Sequence, residues 1–216
     1  MATQNKIVNP AVPNLPLGTD QYERRYQDQF TNVLRLYFNQ LRNALGELFS
    51  DVGGKYISFP YGAFSSDQTQ TTTANTATLM TLNTTDFANG VSIASSKITV
   101  ANAGIYNLQF STQFQNTDNQ IQDISIWLKQ NGTDIPGSTG LISIPARKSA
   151  SAGEEAHQII GWNYYISMAA NQYVEIYWSA TLASVTIQKY AAGTGPVRPS
   201  TQSVVVTLSF VSALAT

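Results

Sequence analysis

Leu34, Tyr37, Leu41, Ala44 and Leu48 recur at a 3-4-3-4 spacing with Phe30 one step earlier, and past Lys55 the apolar period drops to two. The first spacing is the a/d seam of a short coiled coil, and the second is the mark of half-buried strands. One chain therefore carries two kinds of folding unit, a helix and then a β-rich domain.

The helix is expected within residues 19–50. Asp20 and Glu23 have capping-box spacing, with Thr19 as an alternative cap. No proline interrupts the run to Phe49, and Gly46 comes only in the last turn. Asp51, Gly53 and Gly54 end the helix and mark a hinge. Val33, Phe38, Leu45 and Phe49 widen the seam Phe30, Leu34, Tyr37, Leu41, Ala44, Leu48 into a broad stripe. Such a stripe suits a bundle of three or more helices, or a helix resting against a sheet. Both readings stay open, as does the strand number of the bundle. Before it, residues 1–18 carry Pro10, Pro13, Pro16 and Gly18 among small and polar residues. That is an extended tether, either loose or ordered by docking onto a larger assembly.

Residues 55–216 read as one β domain. Expected strands are Tyr56–Phe59, Thr78–Leu82, Lys97–Val100, Ile105–Phe114, Ile121–Lys129, His157–Ser167, Tyr173–Ala180, Ser184–Tyr190 and Ser203–Val211. Tyr106, Leu108, Phe110, Thr112 and Phe114 share one face of the fourth, while amides and a serine share the other. Asn131-Gly132 supplies a hairpin turn. The Thr-rich run Gln68–Thr78 reads as an exposed loop or edge, and Gly193–Ser200, with two prolines, as a surface loop. Many short strands without helices between them predict a sandwich or jelly roll. Tyr173 and Tyr177, with Tyr164 or Tyr165, fall on strand faces away from the core residues and need cover. Val205 and Val211 on the last strand lie on a second, uncharged face. Tyr173, Tyr177, Val205 and Val211 are therefore the expected inter-subunit sheet face, the other reading being tyrosines scattered over an ordinary surface.

Charged residues make up only 12% of the 216 residues, against roughly 25% in a typical soluble domain, and the net charge is −1. Without a basic run, nucleic acid is not an expected partner. The start lacks a signal-peptide pattern and no stretch suits membrane insertion, so any exit from a cell is expected by another route such as lysis. With no cysteine, thiol catalysis and cysteine zinc sites are excluded. The single histidine, His157, has no Gly-x-Ser-x-Gly elbow beside it and reads as a surface or interface residue. Asp118 and Asp123 flank a turn but match no calcium loop, Glu154 and Glu155 sit in a small-residue loop, and Glu175 has no visible carboxylate mate. No catalytic, cofactor or metal residue is expected, and the chain reads as a non-enzyme.

Residues from about 59 to 213 resemble the C1q/TNF-like jelly roll. The resemblance is carried by Asn83–Gly90 leading into Lys97-Ile98-Thr99-Val100, then Gly104-Ile105-Tyr106, then Ile124–Lys129 running into Asn131-Gly132, the strand Tyr173–Trp178 and a last strand ending near Phe210. Pro13-Asn14-Leu15-Pro16-Leu17 followed by Phe30–Leu45, and the segment Phe59-Pro60-Tyr61-Gly62-Ala63-Phe64, resemble structural proteins of tailed bacteriophages. The resemblance implies a homotrimer in a virion, decorating the capsid or forming a short fibre. Other virion proteins would hold its N-terminal segment. A fibre or tail domain that binds a host surface glycan or receptor is the alternative. The chain departs from the family in having a helix where a collagen-like stalk would stand, and in lacking cysteine.

Overall fold

The computed structural model describes residues 10–18, 20–49, 59–149 and 154–214. Two compact units result, Met1–Ser58 and Phe59–Thr216. In the first, helix α1 spans Arg24–Leu48. The Glu23 carbonyl accepts the Gln27 N–H at 3.1 Å, so Glu23 itself stands at the cap position. The expected capping box is thereby corrected: Asp20 lies in a bend three residues ahead of the first turn, too far back to close it. Thr19 and the hinge at Asp51, Gly53 and Gly54 lie outside the described residues. The described part of the tether, residues 10–18, has no regular structure. Its Asn14, Leu15 and Pro16 line a shallow cleft with Gln29, Asn32 and Val33 of the helix.

The second unit is mainly β and antiparallel. Its strands are β1 (Tyr61–Ser66), β2 (Thr78–Leu79), β3 (Thr84–Asn89), β4 (Val91–Ala94), β5 (Lys97–Val100), β6 (Gly104–Asn116), β7 (Gln122–Gln130) and β8 (Thr133–Asp134). They continue with β9 (Gly140–Ile144), β10 (Ala156–Met168), β11 (Tyr173–Ala180), β12 (Val185–Ile187), β13 (Gly193–Thr194), β14 (Val197–Arg198) and β15 (Val204–Ser212). One sheet has the order β10-β6-β15-β1-β3, with β12 also on β6. The other runs β4-β5-β11-β7-β8, with β2 on β11 and β9 on β7. Their inner faces meet as a sandwich. Tyr106, Leu108, Phe110 and Phe114 of β6 and Val204, Val206 and Leu208 of β15 face Ile124, Ile126, Val174, Ile176 and Trp178 of the other sheet. Phe114 meets Trp178 edge-on, with ring centroids 5.7 Å apart.

Several expectations change here. Residues 56–58 of the expected first strand are outside the described residues and Phe59 belongs to no strand; β1 begins at Tyr61. The strands β3, β4 and β9 carry weak or no alternation and have no counterpart among the expected ones. β3 is an exposed edge held by backbone pairing to β1. β4 and β5 turn through Ser95 and Ser96, both at positive φ (50° and 61°), where glycine or asparagine is usual. Ser96 is buried and its Oγ accepts the Leu82 N–H at 3.0 Å, which fixes the turn in place of a glycine. The run Gln68–Thr78 is only partly exposed. Gln70 is buried and clamps Thr81 from both sides, its Oε1 accepting the Thr81 N–H at 2.8 Å and its Nε2 donating to the Thr81 carbonyl at 3.0 Å. Thr72, also buried, bonds Thr78 through their hydroxyls at 2.6 Å. Gly193–Ser200 folds back as the two-stranded ribbon β13–β14.

Asn131 and Gly132 (φ 50° and 80°) make the expected tight turn after β7. At Gly140 the reason for glycine is space, because a Cβ there would meet the Trp162 ring from β10. Gly140→Ala forces that indole to shift, and overpacking of this kind costs about 1–3 kcal/mol. The expected result is a lower urea midpoint with an unchanged m-value.

Candidate functional site

The two outer faces of the sandwich differ in chemistry, and the difference follows from strand composition. The strands β6, β10 and β15 contain no Asp, Glu, Lys or Arg. Because alternate residues point inward, their outer face is built from what remains. Cross-strand rows of that face are Val205–Ser111–Gly161, Thr207–Gln109–Asn163 and Ser209–Asn107–Tyr165. Ile159 is 65% exposed and Tyr165 60% exposed on it, beside Val205 at 40% and Val211 at 49%. Val211 stands at the irregularity between Phe210 and Ser212, where β15 slips its register against β6. The Asn107 Oδ1 is sealed from solvent without a hydrogen-bond donor. Tyr164, by contrast, packs against the core.

Tyr173 and Tyr177 are elsewhere. They lie on β11, in the other sheet, on the face turned away from the core residues Val174, Ile176 and Trp178. The expected single inter-subunit face of Tyr173, Tyr177, Val205 and Val211 is thus two faces on opposite sides of the sandwich. Both strands alternate in the same way, and alternation alone does not say which sheet a strand joins. The tyrosines also have cover already. The Lys97 ammonium stands 4.4 Å from the Tyr173 ring centroid, and the Lys129 ammonium 4.5 Å from that of Tyr177. Trp127, directly across from Tyr177 on β7, has its ring 5.9 Å away.

On the helix, Phe30, Leu34, Tyr37, Leu41, Ala44 and Leu48 form one stripe and each is half-buried. Tyr26, which the seam reading missed, stacks on Phe30 at 6.1 Å and extends the stripe by another turn. Its four-residue offset from Phe30 was the available signal. Of the flanking residues, Val33 is half-buried, whereas Phe38, Leu45 and Phe49 are exposed at 59%, 42% and 80%. With Leu41, Arg42 and Gly46 they line an apolar groove along the C-terminal half of the helix.

The residues considered for chemistry have other partners. His157 lies at the edge of the uncharged face, where its Nδ1 and the Tyr190 hydroxyl are hydrogen-bonded at 2.8 Å. Burial, and then the charge of Glu155, push the Tyr190 phenol above its ordinary pKa, which keeps it protonated beside the ring. Asp118 Oδ1 accepts the Gln120 N–H and Oδ2 the Gln122 amide, while Asp123 Oδ1 accepts the Ser143 hydroxyl at 2.6 Å. Asp118 thus serves the bend after β6, and Asp123 a cross-strand pair between β7 and β9. Among the described residues no group of three or more His, Asp or Glu is placed to hold a metal ion. No helix among them is long and apolar enough to cross a membrane. No protein-family model matches the chain, and no curated protein matches it.

An amphipathic helix of this length draws most of its stability from packing its apolar face. Leu41→Asp puts a carboxylate in the middle of the stripe. The expected outcome is a loss of helical circular dichroism at 222 nm.

Proposed function

We propose that this chain is a non-enzymatic homotrimeric structural protein of a virion, built on a C1q/TNF-like jelly roll and decorating a capsid or forming a short fibre. The observation that carries the reading is the uncharged outer face of β6, β10 and β15. A surface that stays in water has no reason to omit ionic side chains over three adjacent strands. One that packs against other copies does, because an unpaired buried charge costs several kcal/mol while hydroxyl and amide side chains hydrogen-bond across a contact.

Strand order supports the jelly-roll part. The first and last strands, β1 and β15, are neighbours inside one sheet, and the chain passes repeatedly between the two sheets, as Greek-key connections require. The helix seam supports oligomerisation through an independent element. Val12 and Leu17, about nine-tenths exposed on the extended segment, support its role in attaching to other virion proteins.

Sedimentation at micromolar concentration is expected to give three times the 23.5 kDa chain mass. Gly161→Arg adds a charge on β10, the outermost strand of the uncharged face, where a new Cβ would find only ordinary contact with the Phe110 carbonyl, 3.8 Å away. That variant is expected to sediment as a lighter species with its strand signal intact. A wild-type chain that sediments as a monomer overturns the proposal.

A further inference from the structure

The outer face of the seven-stranded sheet holds a charged group that no part of the fold uses. Glu175 lies on β11 between Tyr173 and Tyr177 and is only 5% exposed. Lys129 of β7 is its direct cross-strand partner. The register Tyr173↔Thr99 between β11 and β5, continued by two residues, brings Lys97 opposite it on the other side. Two lysines thus flank one carboxylate. Yet both ammoniums are drawn to the tyrosine rings, and Lys129 pairs at 3.4 Å with Asp134 instead. Among the described residues, the Glu175 carboxylate has neither an ion pair nor a hydrogen bond. Its oxygens are not among the polar atoms sealed from solvent without a partner, so they face the outside at the floor of this row.

A carboxylate walled in this far wants donors. The surroundings decide which kind. A cationic ligand would meet the Lys97 and Lys129 ammoniums, and a phosphate or a polyanion would meet Glu175 and Asp134. What remains is a neutral donor. Two adjacent hydroxyls of a sugar ring present two parallel O–H groups, which suit the two oxygens of one carboxylate. The lysine ammoniums retain N–H groups for the remaining hydroxyl oxygens. The Trp127 ring, held beside that of Tyr177, offers an apolar surface to the C–H face of the same ring. Trp127 is held there because its indole N–H donates to Asp134 at 2.8 Å. We propose that this face, centred on Glu175 with Tyr177 and Trp127, is a binding site for a neutral saccharide. The inference stands on the sheet alone and does not depend on the trimer or on the virion.

The test uses the full chain on an array of neutral and acidic oligosaccharides, followed by titration of the best neutral ligand. Binding that quenches tryptophan emission in the wild type and not in Trp127→Phe is expected. Raising sodium chloride from 0.05 to 0.5 M is expected to change that affinity less than about twofold, since no net charge is exchanged. Glu175→Gln keeps the shape but replaces one acceptor oxygen with a donor, and is expected to weaken binding at least about tenfold at an unchanged melting temperature. Tyr177→Ala gives a second, independent loss. The proposal is overturned if no neutral oligosaccharide binds, if Glu175→Gln and Tyr177→Ala both bind as well as the wild type, or if only acidic sugars bind and salt abolishes it.

Discussion

Insertion of β15 between β6 and β1 is the interaction on which the β domain depends. The last strand of the chain pairs along most of its length with β6, and β1 closes on its other edge. Without it the six-stranded sheet would be two fragments, each with a bare edge, and Val204, Val206 and Leu208 would leave the core. The pairing joins residues about as far apart as the domain allows, so the entropy of closing a long loop precedes its reward. That cost is met by a core with few polar interruptions. Trp178, Thr112 and Gln158 are among the exceptions, each holding a sealed polar atom without a partner.

From this one arrangement the chain acquires two unlike surfaces. The strands β6, β10 and β15 bring only amides, hydroxyls, glycine, a histidine and apolar groups to the outside. The strands around β11 bring Lys97, Lys129, Asp134 and Glu175. The first surface can meet another copy of itself without opposing charges. On the second, lysines lie over tyrosines and an ion pair closes the end of a charged row, so it is already organised within one copy. A protein that assembles by one face and displays the other needs this kind of division.

Parts of this were legible in the residues. The strands Lys97–Val100 and Tyr173–Ala180 have the limits their alternation suggested, and the face shared by Tyr106, Leu108, Phe110, Thr112 and Phe114 is buried as expected. Local chemistry was enough there. It was not enough for β3, whose Thr-Thr-Asp-Phe-Ala-Asn was not among the expected strands and becomes one because β1 offers it a partner. Nor was it enough for Ser95–Ser96, where the buried Ser96 hydroxyl holds a turn that the sequence does not advertise. Gln70 looked exposed because it sits in a threonine-rich run, and it is buried because Thr81 satisfies both ends of its amide.

The candidate faces divide in the same way. By itself the sequence determined that a seam helix precedes a β-rich domain. It also determined that Tyr173, Tyr177 and Val205 point away from the core, because side-chain direction follows from a residue's own period. Tertiary structure alone decided that the tyrosines and the valine lie on opposite sides of the sandwich, and that Glu175 sits between two lysines. Sheet membership and register are set by hydrogen bonds between strands distant in the chain, and no local pattern encodes which strand will be the neighbour.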